Sequence, residues 1–103
     1  MFTGDSVLHY AIFDNKTAFV EQIIDMYENE VNMRNEDGNT PLAYACLRGN
    51  LEIVKIVHYK GAIMNGKNQA GLTPLMQAIY NCHYFVVHYL LGIDAVVENV
   101  MTP

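Results

Sequence analysis

Residues 40–54 read TPLAYACLRGNLEIV, and this stretch decides the fold because much of it occurs again elsewhere in the chain. Its opening Thr-Pro-Leu returns at residues 73–75, an offset of 33, and a more divergent copy begins at Ser6, at an offset of 34. The surrounding positions keep the same register, since Gly38 recurs as Gly71. Self-similarity at a fixed period of this length predicts a repeat architecture.

Each copy is predicted to form two short helices. Thr40 supplies a side-chain oxygen that caps the first helix, and Pro41 occupies the first helical position, where no hydrogen-bond donor is lost. Gly49 ends that helix in the left-handed conformation, and the apolar residues from Leu51 to Val57 form one face of a second, antiparallel helix. Because one such pair cannot bury its own apolar face, the copies are expected to stack into a small solenoid.

The loops between copies contain two glycine turns, Asp37-Gly38 and Asn65-Gly66, which predict protruding hairpins. With these loops, the repeat length and the Thr-Pro-Leu pattern, the chain resembles the ankyrin repeat family over roughly residues 4 to 95. The resemblance implies an all-α fold, an ankyrin-repeat solenoid of stacked helix-turn-helix units with protruding β-hairpin loops. It implies a single domain over residues 1–103, with repeat 1 at about 4–37, repeat 2 at about 38–70, repeat 3 at about 71–97 and a tail at 98–103.

The chain departs from the family pattern at two kinds of position. Only His9 keeps the histidine of the T-P-L-H-x-A motif, so we expect a weaker hydrogen-bond network between neighbouring repeats. Asn15 and Cys82 stand where repeat 2 carries Gly49. Asparagine tolerates the left-handed conformation, whereas cysteine is strained there or shifts the turn.

Length and composition bound the function. A chain of 103 residues has room for one modest core, and 51% hydrophobic residues argue against disorder throughout. The formal net charge of -5 has the wrong sign for nucleic-acid binding. No apolar run reaches the roughly 18 residues needed to span a bilayer. We therefore expect a cytoplasmic, intracellular protein with no nucleic acid and no membrane as partner, and the host-cell cytoplasm is the alternative for an effector or a viral protein.

Residue types that carry chemistry are scattered. His83 and His88 are five apart, unlike the i, i+4 pair that chelates a metal on a helix. Cys46 and Cys82 match no metal-binding spacing, and the neighbourhood of Cys82 and His83 lacks a third, orienting group. No glycine-rich phosphate loop is present. These observations favour a non-enzymatic protein with no catalytic residues, no cofactor and no metal.

The resemblance to ankyrin repeats also implies where a partner binds, in a concave groove and at the hairpin tips. An apolar stripe of Phe13, Leu47 and Tyr80 occupies equivalent positions in the groove, although the same side chains would also suit the core. The remaining predicted partner-binding residues are a polar row and hairpin positions, namely Asp14, Arg48, Asn81, Arg34, Glu36, Asp37, Asn39, Lys67, Gln69 and Leu72.

Two functional hypotheses follow. The first is a non-enzymatic protein-interaction module that docks a protein partner in the groove and serves as an adapter, an inhibitor or a targeting piece. The second is a structural or self-associating segment of a longer repeat array. Its motivation is an apolar C-terminal end, Val96, Val97, Val100 and Met101, where a terminal repeat ordinarily has a polar outer face. Thr102-Pro103 also resembles the opening of a further first helix.

Overall fold

A computed structural model describes residues 4–93. Three helix pairs follow one another along this part of the chain: α1 (Val7–Phe13) with α2 (Thr17–Ile23), α3 (Pro41–Arg48) with α4 (Leu51–Tyr59), and α5 (Pro74–Tyr80) with α6 (Tyr84–Gly92). A 3-10 turn at Glu28–Glu30 falls between the first two pairs, where the extra residue of the first repeat lies. The end of repeat 3, the tail and the apolar C-terminal segment of the sequence predictions lie outside the described residues.

The first helix of each pair begins at the predicted cap. The hydroxyl oxygens of Ser6, Thr40 and Thr73 each accept a hydrogen bond at 3.2 Å from the backbone N–H three residues later. Pro41 and Pro74 occupy the first turns of α3 and α5. These caps satisfy amide groups that a helix start otherwise leaves unpaired, and they set the register of each repeat.

The turn inside each pair uses a left-handed residue. Gly49 has φ +75°, and Asn15 and Cys82 take up equivalent conformations with φ +58° and +59°. A Cβ added at Gly49 would overlap the imidazole ring of His83, which lies against this turn. Repeat 2 therefore requires glycine at this position, and the cysteine in repeat 3 holds a conformation that costs backbone strain.

The helices stack in two layers. Helices α1, α3 and α5 form one layer, α2, α4 and α6 form the other, and each helix packs on its counterpart in the next repeat. The shared core contains equivalent residues from successive repeats, with Leu8, Leu42 and Leu75 fully buried in the first layer. This arrangement confirms the predicted all-α solenoid of stacked helix-turn-helix units.

The loops differ from the expected β-hairpins. Asn35 N–H donates to the Asn39 carbonyl at 3.0 Å and Gly38 N–H to the Asn35 carbonyl at 3.0 Å, so the loop closes as a turn. No residue between 4 and 93 is in a β-strand, because too few backbone bonds join the arms of each loop into a ladder. The contacts between neighbouring loops include a backbone hydrogen bond from Gln69 N–H to the Asp37 carbonyl at 3.0 Å.

The prediction of a hairpin turn at Asn65-Gly66 is wrong. The second loop turns at Asn68–Gly71, where Gly71 N–H donates to the Asn68 carbonyl at 3.0 Å and Gly71 has φ +83°. Gly71 is the register equivalent of Gly38, which has φ +78°. The repeat register therefore decides the turn, and the Asn-Gly dipeptide five residues earlier does not.

Candidate functional site

A repeated hydrogen-bond arrangement joins neighbouring repeats beside the loops. The Tyr44 hydroxyl and the Asn35 side-chain amide both donate to Asp5 Oδ1, each at 2.8 Å. One repeat later, Gln77 Nε2 and Asn68 Nδ2 both donate to Asn39 Oδ1, at 3.1 Å and 3.0 Å. In each case the acceptor lies just before a helix cap and takes one donor from the loop of its own repeat and one from the first helix of the following repeat.

The Asp5–Tyr44 contact is buried. Tyr44 is only 1% exposed, and Asp5 Oδ2 is buried without a hydrogen-bond partner. Burial, together with the hydrogen bond and the charge of Asp5, raises the pKa of the Tyr44 hydroxyl well above its usual range. The hydroxyl is therefore held in its protonated, donating form.

His9 adds a second link at the same interface. Its Nδ1 accepts the Ser6 backbone N–H at 3.1 Å, which fixes the tautomer so that Nε2 donates to the Asn39 carbonyl at 2.8 Å. The equivalent residues Ala43 and Met76 have no group that could make this bond. Between repeats 2 and 3 the Gln77 side-chain amide on Asn39 Oδ1 supplies a polar contact without a counterpart of the His9 bond.

The structure divides the predicted apolar stripe. Phe13 is half-buried. Its ring centroid lies 5.4 Å from the ring centroid of Tyr44 and 5.2 Å from the guanidinium carbon of Arg48. Leu47 is also half-buried, and its carbonyl accepts a hydrogen bond from His83 Nε2 at 2.8 Å. Tyr80 is 63% exposed. The stripe thus combines one projecting aromatic ring with two half-buried side chains, of which Phe13 packs against the core.

The predicted polar row lies at the ends of the first-layer helices. Asp14, Arg48 and Asn81 are exposed and directly follow the stripe residues in the sequence. Arg48 is held over the Phe13 ring, and Asn81 Nδ2 donates to the Gln77 carbonyl at 2.8 Å. Both side chains are therefore fixed in orientation while their remaining surface faces solvent.

The loop residues provide both exposed charge and internal support. Arg34 Nη1 donates to the carbonyls of Gly38 at 3.0 Å and Lys67 at 2.6 Å, and so bridges the two loops. Asn39 is occupied internally, because its side-chain oxygen already accepts two hydrogen bonds. Leu72 is half-buried. The exposed loop side chains are Arg34, Glu36, Asp37, Lys67 and Gln69.

Tyr10 and Tyr44 hold equivalent positions in their repeats, yet their exposure differs. Tyr10 is 43% exposed, whereas its register equivalent Tyr44 is covered by Phe13 and His9. The order of the repeats accounts for the difference, since no described repeat precedes Tyr10. Position in the array, not residue type, sets its exposure.

The groups that could carry other chemistry have structural partners. His58 Nδ1 pairs with the Tyr89 hydroxyl at 2.7 Å, and Cys46 is buried, which raises the pKa of its thiol far above its usual range. Within residues 4–93 no three His, Cys, Asp or Glu side chains are grouped closely enough to hold a metal ion. None of the helices in that same part of the chain has the length and apolar character needed to cross a membrane.

Stacked helix pairs joined by turn-forming loops define a helical repeat protein. A family model described as ankyrin repeats (3 copies) matches residues 6–99. The chain belongs to the ankyrin repeat family.

Among curated relatives, the chain is 37% identical over 86 residues to the mouse "Ankyrin repeat and SAM domain-containing protein 6", which covers 82% of this chain and 10% of that protein. It is 43% identical over 53 residues to the rice "Probable E3 ubiquitin-protein ligase XBOS33", covering 52% of this chain and 10% of that protein. The chain therefore spans about a tenth of the length of these relatives.

A solved structure shares the fold. It is described as "Bd0816 Predatory Endopeptidase from Bdellovibrio bacteriovorus in complex with immunity protein Bd3460", and one of its chains aligns with a TM-score of 0.85 and 31% sequence identity. The alignment covers 93% of this chain and 50% of that chain. Ankyrin repeats in general act as protein–protein interaction modules, which is the coarse function that family membership assigns to this chain.

Proposed function

We propose that this chain is a non-enzymatic module that binds a protein partner through Tyr80, the half-buried Phe13 and Leu47, the polar row and the exposed loop residues. The observation that carries the proposal is the exposure of Tyr80, together with exposed loop side chains of both charges. An exposed aromatic anchor within a polar rim is typical of the residues that dominate protein-binding energy.

The two loops are suited to binding because they are already ordered. Arg34 ties the first loop to the Lys67 carbonyl, and Gln69 N–H ties the second loop to the Asp37 carbonyl. A surface that is fixed before binding loses less conformational entropy when a partner docks. Glu36 and Asp37 on one loop and Lys67 on the next then present charges of opposite sign along the candidate surface.

The partner we infer is a protein segment that inserts an apolar side chain against Tyr80 and matches both loop charges. In that role the chain serves as an adapter, an inhibitor or a targeting piece. We place its action in the cytoplasm, since Cys46 and Cys82 are both free thiols, as is usual in a reducing compartment.

A second candidate function is a structural segment of a longer repeat array. Its support is the length of the relatives, because this chain matches about a tenth of proteins that carry further regions. In that case the described repeats hold neighbouring units in place, and the candidate surface contacts no partner of its own.

Affinity capture tests the proposal by comparing the full chain with a Tyr80→Asp variant and a Tyr59→Asp control. Tyr59 is a largely exposed tyrosine on α4, in the other helix layer, so its substitution matches the chemical change at a different surface. We expect one protein to be captured by the full chain and the control and lost with Tyr80→Asp. Equal capture by all three folded chains would contradict the proposed surface.

A further inference from the structure

The two ends of the solenoid carry exposed apolar residues at positions that are buried or half-buried inside it. At the N-terminal end these are Val7, Tyr10 and Phe19, which we call the N-terminal face. At the C-terminal end they are Tyr84 and Leu91, which we call the C-terminal face. Neither face, as defined, includes Tyr80 or the exposed loop residues of the proposed function.

The N-terminal face is the register copy of an interface that exists within the chain. Phe19 is 49% exposed, whereas its equivalent in repeat 2, Ile53, is fully buried in the shared core. The equivalents of Val7 and Tyr10 are Pro41 and Tyr44, and both are buried. In repeat 2 this surface packs against repeat 1, so in repeat 1 it is a stacking surface without a described repeat to cover it.

The C-terminal face is the complementary copy. Leu91 is 46% exposed, although its equivalent in repeat 1, Ile24, is only 2% exposed beneath repeat 2. Its equivalent in repeat 2 is His58, which is half-buried and hydrogen-bonded to Tyr89 of repeat 3. Tyr84 is also exposed, while its equivalent Leu51 packs against the core.

We propose that two copies of this chain associate head to tail, with the C-terminal face of one copy stacked on the N-terminal face of the next. These same two kinds of surface already meet between repeats 1 and 2 and between repeats 2 and 3, so a second copy would continue an interface that is present within the chain. Such an interface is heterologous, so it extends a row of copies instead of closing a symmetric dimer.

One polar detail of the internal interfaces would change at the junction. Asp5 and Asn39 each accept a hydrogen bond from the next repeat, and the third position in this series is Leu72, which has no side-chain acceptor. Tyr10 would therefore pack against the apolar Leu72 side chain without forming that bond. The junction is consequently expected to be weaker than the interfaces within the chain.

Sedimentation equilibrium of the full chain tests the proposal, over a range from about 10 µM to about 1 mM, which suits a small and weak interface. We expect the average mass to rise with concentration. A Phe19→Asp variant and a Leu91→Asp variant should each remain monomeric alone, because each lacks one face. Mixed in equal amounts they should form a dimer that grows no further, since one intact face of each kind remains. A Tyr59→Asp control should associate like the unchanged chain.

A variant that adds the acceptor missing at position 72 gives a second test, in which association should increase. A Leu72→Asn variant supplies the acceptor that Asp5 and Asn39 provide inside the solenoid, so Tyr10 gains a hydrogen bond and association should become several-fold tighter. Milder Phe19→Ala and Leu91→Ala variants serve if either aspartate variant fails to fold. A monomer at every concentration, a mixture that does not dimerise, or unchanged association of the face variants would overturn the proposal.

Discussion

The Tyr44 hydroxyl donates a 2.8 Å hydrogen bond to Asp5 Oδ1 and thereby joins the second repeat to the start of the first. Gln77 makes the equivalent contact with Asn39 one repeat later. The two pairs differ in residue type but make the same contact. Each supplies a hydrogen bond to a side-chain oxygen, of Asp5 or of Asn39, where the first-layer helices of neighbouring repeats pack. Each repeat is thus positioned by its neighbour as well as by its own caps.

Removing the Tyr44 hydroxyl should destabilise the fold. In a Tyr44→Phe variant the ring still packs against Phe13 and His9, but Asp5 loses one of its two donors. We expect the free energy of unfolding to fall by about 1.5–3 kcal/mol, the usual contribution of a hydrogen bond to a charged group. Urea unfolding followed by far-UV circular dichroism measures it, and an unchanged midpoint would show that the contact contributes nothing.

Neutralising Asp5 should cost little. Its Oδ2 is buried without a partner, and the equivalent acceptor in repeat 2 is the neutral amide of Asn39. An Asp5→Asn variant keeps an oxygen for Tyr44 and Asn35 and removes a buried charge, so we expect unfolding stability within about 1 kcal/mol of the unchanged chain. An Asp5→Ala variant is the matched control, since it removes the acceptor and should lose more. If asparagine is as damaging as alanine, the charge itself is required.

Raising the pH into the alkaline range should destabilise the fold. Burial raises the pKa of the Tyr44 hydroxyl and of the Cys46 thiol in the folded state. Because a raised pKa favours the protonated form, each group contributes fully to the free energy of unfolding below its unfolded-state pKa, about 8.5 for cysteine and about 10 for tyrosine. This contribution declines as the pH rises above that pKa. Thermal unfolding from pH 7 to pH 11 should show a falling midpoint, and a Cys46→Ala variant should begin its decline at higher pH. A flat profile would contradict the buried, protonated assignment.

Glycine at position 49 is required for two reasons. Its φ of +75° disfavours any side chain, and an added Cβ would overlap the imidazole of His83 from the next repeat. We expect Gly49→Ala to lower the free energy of unfolding by about 1–3 kcal/mol. A Cys82→Gly variant makes the opposite change at the equivalent turn, where the φ of +59° strains a residue with a side chain. It should raise the free energy of unfolding by about 0.5–1 kcal/mol. Differential scanning calorimetry of both variants checks the pair of signs.

The repeat positions of the fold could be predicted because they depend on local chemistry. The caps at Ser6, Thr40 and Thr73, the prolines of α3 and α5, and the left-handed turn all follow from what one residue type can do with its own backbone. The turn of the second loop was mispredicted because Asn-Gly is a strong local turn signal at residues 65–66. The turn forms instead at residues 68–71, where Gln69 N–H can bond the Asp37 carbonyl of the neighbouring loop.

The candidate surface was less predictable because exposure depends on neighbouring repeats. Phe13, Leu47 and Tyr80 are equivalent in sequence, yet Phe13 lies between Tyr44 and Arg48 whereas Tyr80 projects into solvent. Asn39 read as an exposed hairpin residue, but its oxygen receives donors from residues 29 and 38 positions away. A local pattern carries no information about such long-range partners. Whether these residues bind a partner stays a prediction.

The most direct measurement places a photo-crosslinking phenylalanine analogue at position 80, with position 59 as the matched control. Both native side chains are largely exposed tyrosines, but they lie on helices of different layers. After irradiation in cell extract, we expect a covalent adduct with one protein from position 80 and none with that protein from position 59. Equal adducts from both positions, or an adduct from position 59 alone, would contradict binding through the Tyr80 surface.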